Sequence, residues 1–147
     1  MRYGNKVLPA LLINALIVLP SFAANNFTVD CPGQIQVQQA AAAAYAGWRS
    51  LQAPAQYYLS GVTFYSGKPE EMASLKPEEF KKFQSTWRFS PDDQIYLVCE
   101  YNQTSIQLTR ALPVHTKACT VQYNGSTRVS SGGFIPKQIR CALTKMT

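Results

Sequence analysis

The chain has 147 residues, of which 14 are basic, 8 acidic and one a histidine, giving a formal net charge of +6. That length suits one domain with one core, able to bury roughly two-thirds of the surface its unfolded chain exposes. A lone His115, no Cys-x-x-Cys spacing and no Gly-rich phosphate loop exclude the usual zinc and nucleotide sites, so neither a metal nor a cofactor is expected.

Arg2 and Lys6 stand at the start of an apolar run over residues 7–20, which Ser21, Phe22 and Ala23 follow. A basic start, a short apolar stretch and small residues one and three places before the cut are what a signal peptidase reads. Residues 1–23 are therefore expected to be a cleaved signal peptide, with the mature protein beginning at Ala24. A membrane anchor needs about 20 apolar residues, and Asn14 and Pro20 interrupt this shorter run. No cysteine precedes Cys31 to carry a lipid, and no later segment is long or apolar enough to span a membrane. The expected location is an oxidising compartment outside the cytosol.

In residues 24–147, Phe27, Val29 and Cys31 share one strand face by period-2 alternation, and Pro32-Gly33 breaks it. Residues 34–38 alternate again. Residues 40–44 are all alanine, and their helix propensity predicts a short helix over residues 38–46, ended by Gly47, with Trp48 anchored on the core. Aromatic and β-branched residues at 57–59 and 62–65 predict strands before the turn Ser66-Gly67-Lys68-Pro69. Pro69-Glu70-Glu71 suits the first turn of a short helix, and Pro77-Glu78-Glu79 can start a second, because acids there oppose the positive end of the backbone dipoles.

A strand over 85–89 and the turn Ser90-Pro91-Asp92-Asp93 lead to residues 95–101, the most strand-like segment, which is expected at the centre of a sheet. A reversal at 102–104 joins it to a hairpin partner over 105–109 with Ile106 and Leu108 inward. Residues 118–123 place Cys119, Val121 and Tyr123 on one face, Asn124-Gly125 is a hairpin turn pair, and a last strand over 137–143 points Ile139, Cys141 and Leu143 one way. The pattern predicts a mainly β (or α+β) single domain over 24–147: an antiparallel sheet curled on itself, as barrel or sandwich, with one or two short helices.

Outside the cytosol, four cysteines read as two disulfides, for which three pairings exist. Cys119 and Cys141 flank a segment containing Asn124-Gly125 and Gly132-Gly133, so a bridge between them closes that excursion and leaves Cys31 to Cys99.

Residues 24–100 hold 6 bases and 8 acids, whereas residues 101–147 hold 6 bases and no acid. Arg110, Lys117, Arg128, Lys137, Arg140 and Lys145 are expected to form a field suited to an acidic partner, to anionic lipid or to the anionic polymers of a cell envelope; nucleic acid is not an expected target for an exported chain. The loop through Ser131 lies between two of these bases with an apolar Phe134 at hand, so Arg128, Ser131, Phe134, Lys137 and Arg140 are the candidate partner-binding residues. No catalytic residue is expected. Six of the eight carboxylates come as adjacent pairs, Glu70-Glu71, Glu78-Glu79 and Asp92-Asp93, which suit helix starts and a turn, and His115 reads as a surface loop residue.

The landmarks Cys31-Pro32, Gly47-Trp48, Gly61-Val62-Thr63-Phe64-Tyr65-Ser66-Gly67-Lys68-Pro69, Leu75-Lys76-Pro77, Trp87, Tyr96-Leu97-Val98-Cys99-Glu100-Tyr101, Leu112-Pro113, Cys119 and Cys141 resemble, in this order, a family of small exported proteobacterial proteins. That family has no assigned biochemical function, and some of its members occur in enterobacterial type VI secretion gene clusters. The resemblance implies an immunity protein that sits in the periplasm and plugs an envelope-attacking toxin. A second likeness, through residues 96–99, Ile106-Gln107-Leu108 and Ser131-Gly132, is to small disulfide-bonded β-barrel inhibitors of lysozyme. Lysozymes are commonly basic, so a basic loop would meet like charge, which disfavours that alternative. An uncharacterised periplasmic enzyme with His115 as base is the third reading.

Overall fold

The computed structural model describes residues 25–51, 55–129 and 132–144. Their strands, in chain order, are β1 (Asn26–Val29), β2 (Gln34–Val37), β3 (Ala55–Ser66), β4 (Ser74–Leu75), β5 (Glu79–Lys81), β6 (Gln84–Arg88), β7 (Ile95–Tyr101), β8 (Gln107–Ala111), β9 (Thr116–Arg128) and β10 (Phe134–Leu143). One sheet is ordered β1-β10-β9-β6-β5 and the other β2-β3-β7-β8, with β4 added to β3. Every pairing is antiparallel. The mainly β class that the alternation predicts is the one observed, and β7 lies inside its sheet.

Residues 57–59 and 62–65 belong to one strand, β3, because an extra residue resets the alternation between them. The register passes from Leu59↔Tyr101 to Gly61↔Glu100, so Leu59 faces the core before the irregularity and Val62 and Phe64 face it afterwards. Phe64 is fully buried. Its ring lies 5.0 Å from that of Trp87 and 5.4 Å from that of Phe89, contributed from the other sheet and the residue after it. The Trp87 indole donates to the Leu75 carbonyl at 3.1 Å, so its polar atom is satisfied inside the core. Val29, Ile95, Leu97, Val121 and Ile139 close the rest of the apolar layer.

Both disulfides have the expected pairing, Cys31–Cys99 and Cys119–Cys141. Cys119 and Cys141 are direct cross-strand neighbours on β9 and β10 with Cα atoms 4.1 Å apart. Cys31 follows β1 of one sheet and is tied to β7 of the other, where the Tyr101 hydroxyl also donates to the Pro32 carbonyl at 2.9 Å.

Five expectations are corrected. Residues 38–46 form no helix, and Trp48 is 85% exposed instead of anchored on the core. Alanine propensity without an apolar stripe offers nothing to dock, so the helix has no tertiary support. Pro69–Glu71 is a single 3-10 turn, but Glu79 opens strand β5 where a second helical turn was expected. There Arg88 reaches across to Glu79 at 2.8 Å and to Glu78 at 3.5 Å, so these acids serve an ion pair. Its hydrogen bond holds the Glu79 carboxyl below the usual value. Asn124-Gly125 is not the hairpin turn, because β9 runs on to Arg128 before the chain reverses. Ile106 and Leu108 are 44% and 38% exposed, since β8 is the outermost strand of its sheet and is exposed along its whole length.

Replacing both cysteines of a bridge with alanine is expected to cost about 4 kcal/mol for Cys31–Cys99 and about 3 kcal/mol for Cys119–Cys141. The order follows from sequence separations of 68 and 22, and urea denaturation of the two double variants measures it. Burial pushes the phenols of Tyr101 and Tyr123 above their ordinary value of 10.0. A raised folded value means the contribution is whole below pH 10 and is lost as pH rises through the folded values. Tyr101→Phe with Tyr123→Phe is therefore expected to flatten the fall in melting temperature above pH 10.

Candidate functional site

The basic strands β9 and β10 carry most of the sequence-predicted partner residues. Arg128 and Phe134 are paired across the ladder where the two strands meet their connection. The Arg128 guanidinium lies 4.9 Å from the Phe134 ring centroid, and Phe134 meets Phe83 edge-on at 5.0 Å. Lys82 lies over the other aromatic, 5.3 Å from the Phe83 centroid. Two cations thus rest on a half-buried aromatic pair, each contact contributing about 0.5–1 kcal/mol at an exposed position.

Local chemistry builds this cluster. Asn124 Oδ1 accepts from the Ser126 backbone N–H at 3.1 Å and from its hydroxyl at 2.7 Å, which turns the chain inside β9. Gly125 leaves the room that Phe83 fills, since a Cβ there would stand 2.8 Å from Phe83 Cζ.

Arg140 belongs to a different surface. It lies on the outer face of its sheet, where Asn26, Thr28, Ala118, Thr120 and Ala142 are its small neighbours around an open concavity of about 630 Å³. Lys137 stands at an irregularity of β10 and borders a separate crevice with Val29, Asp30, Cys31 and Leu59. Ser131 lies outside the described residues. The structure therefore joins Arg128 to Phe134 and distributes Lys137 and Arg140 over neighbouring surfaces of the same two strands.

The acidic and imidazole groups do not gather. Glu100 is occupied by the Thr63 hydroxyl, which donates to its Oε1 at 2.6 Å, and its Oε2 lies over Gly61, 2.7 Å from where a Cβ would be. His115 is exposed on the turn between β8 and β9, with φ of 63°. Among the described residues no group of three or more histidine, cysteine, aspartate or glutamate side chains is placed to hold a metal.

A family model described as the type VI secretion system Tli immunity protein matches residues 53–142, more than half of the chain. The chain belongs to that family. No curated protein and no solved structure matches it. The match covers β3 to β10 and so includes Arg128, Phe134, Lys137 and Arg140, all of the Cys119–Cys141 bridge and one end of Cys31–Cys99. As a Tli immunity protein it is a type VI secretion immunity protein, whose task is to bind a toxin. The sequence reading missed one exposed feature, the rings of Tyr45 and Trp48, because it assigned Trp48 to the core. The signal available was Gly47 between them, a residue suited to a turn.

Gly125→Ala is expected to drive Phe83 from its seat, break the edge contact with Phe134 and cost about 1–3 kcal/mol. Adding Phe83→Ala removes the obstruction, so thermal or urea unfolding of the two single variants and the double variant should show clear non-additivity.

Proposed function

We propose that the mature chain, residues 24–147 as one domain, resides in the periplasm and neutralises an envelope-targeting type VI toxin by binding it, without catalysis of its own. The observation that carries the location is the pairing of all four cysteines in disulfides, a state suited to an oxidising compartment. Residues 1–23 provide the export signal in this reading. The family assignment favours it over lysozyme inhibition and over a periplasmic enzyme.

Neutralisation by binding needs a shaped, charged surface on a rigid scaffold and no reacting group. Arg128, Phe134, Lys137 and Arg140 on β9 and β10, with Ser131 between the first two in sequence, are the contacts this reading offers an acidic partner, with Arg140 in its concavity as the leading one. A single exposed charge acts mainly on encounter, by steering an oppositely charged partner.

In a bacterial host that exports the cognate type VI toxin, the full chain is expected to restore growth, and a form lacking residues 1–23 to fail. Mass spectrometry of the exported protein should give Ala24 as its first residue. Equal protection by the leaderless form refutes the periplasmic site of action. Arg140→Glu is expected to slow association with the toxin about tenfold at low salt and to weaken its salt dependence, measured by stopped flow.

A further inference from the structure

Strands β2 and β3 pair antiparallel and end with Val37 opposite Ala55, so a short hairpin loop would have joined them. Residues 38–54 intervene instead. All described residues of this connector, 38–51, are exposed, and none is in helix or strand. A surface loop of that length is ordinarily polar or carries a function. This one places Tyr45, Trp48 and Leu51 in solvent at 65%, 85% and 95% exposure.

The tip is nevertheless built. The Trp48 backbone N–H donates to the Tyr45 carbonyl at 3.0 Å, and Gly47 has φ of 80°. A hydrogen bond from the fourth residue to the first, with glycine at positive φ in the third position, defines a type II turn, and it sets the two rings on either side of one tight bend. The base is tethered where the Gln39 amide donates to the Thr104 hydroxyl at 3.3 Å, on the turn between β7 and β8. Arg49, beside the tip, is the one charge in residues 38–51. The described residues of the connector, 38–51, precede the matched residues 53–142, as β1 and β2 also do.

We propose that the Tyr45–Trp48 turn is a preformed wedge that enters an apolar cleft of the toxin, with Arg49 meeting a carboxylate at the mouth of that cleft. The proposal rests on the immunity reading and names the element and the partner chemistry that execute it. Two aromatic rings on a prefolded turn suit the centre of an interface, where tryptophan and tyrosine dominate binding and little loop entropy is left to lose. The lone cation and absence of acid fit an apolar cleft with an acidic rim better than an anionic membrane surface, which calls for several bases.

The test uses the oxidised mature chain and the purified cognate type VI toxin. Trp48→Ala should weaken binding about 30-fold or more, as expected of a central anchor. Tyr45→Ala and Gly47→Ala, the second of which strains the turn, should each weaken it less. Melting temperatures should stay unchanged, because these side chains are exposed. With fluorotryptophan incorporated, the chain has two fluorine resonances, from Trp48 and from the buried Trp87; toxin should shift the Trp48 signal and leave that of Trp87 in place. Binding by Trp48→Ala within twofold of the parent overturns the wedge alone and leaves the immunity reading standing. Failure of the parent to bind the toxin overturns both. A Trp48 shift produced by anionic vesicles but not by toxin, or a dimer abolished by Trp48→Ala, overturns the toxin as occupant.

Discussion

The fold depends on the contact that Phe64 of β3 makes with Trp87 of β6, in the opposite sheet, and with Phe89 just beyond that strand. No single strand of this chain buries enough apolar surface to persist alone, and two sheets gain stability only by covering one another. Phe64 can reach that position because the irregularity between Leu59 and Gly61 changes which residues of β3 face inward. The Trp87 indole is held by the Leu75 carbonyl, which also fixes short β4 against the same layer. Backbone register, aromatic packing and a buried hydrogen bond thus act on one point.

The disulfides extend that constraint to the termini of the fold. Cys31–Cys99 crosses between the sheets, with the Tyr101 hydroxyl bond to Pro32 beside it, whereas Cys119–Cys141 fastens the two longest paired strands of the basic sheet. A binder benefits from such stapling because a rigid scaffold loses little freedom when it meets its partner. The bridges also suit an oxidising compartment outside the cytosol.

Against this rigid scaffold, the exposed features separate into three chemistries. Arg128 and Lys82 rest on the Phe83–Phe134 pair, where their charge is presented from fixed aromatic supports. Arg140 stands among small side chains that leave space around it. The Tyr45–Trp48 turn presents apolar surface that the core does not use. Charge governs approach and apolar burial governs retention, so an interface that combines them gains both speed and lifetime.

Much of this was legible in the chain. Alternation of apolar residues placed the strands containing Val29, Leu97, Val121 and Ile139, and the cysteine spacing with the turn residues between Cys119 and Cys141 indicated the pairing. The charge division along the sequence left its C-terminal third with six bases and no acid, and a lone histidine without Cys-x-x-Cys spacing spoke against a metal reading of the cysteines. Local properties suffice for these because period, charge and compartment require no knowledge of neighbours distant in sequence. Only the tertiary structure decided that Trp48 is outside and Trp87 inside, that Asn124-Gly125 lies within a strand where Phe83 fills the room beside the glycine, and that Arg128 and Arg140 occupy different surfaces. Each of those outcomes is set by which residues from remote strands arrive opposite, and an aromatic, a turn pair or a basic residue looks the same in sequence whatever it meets.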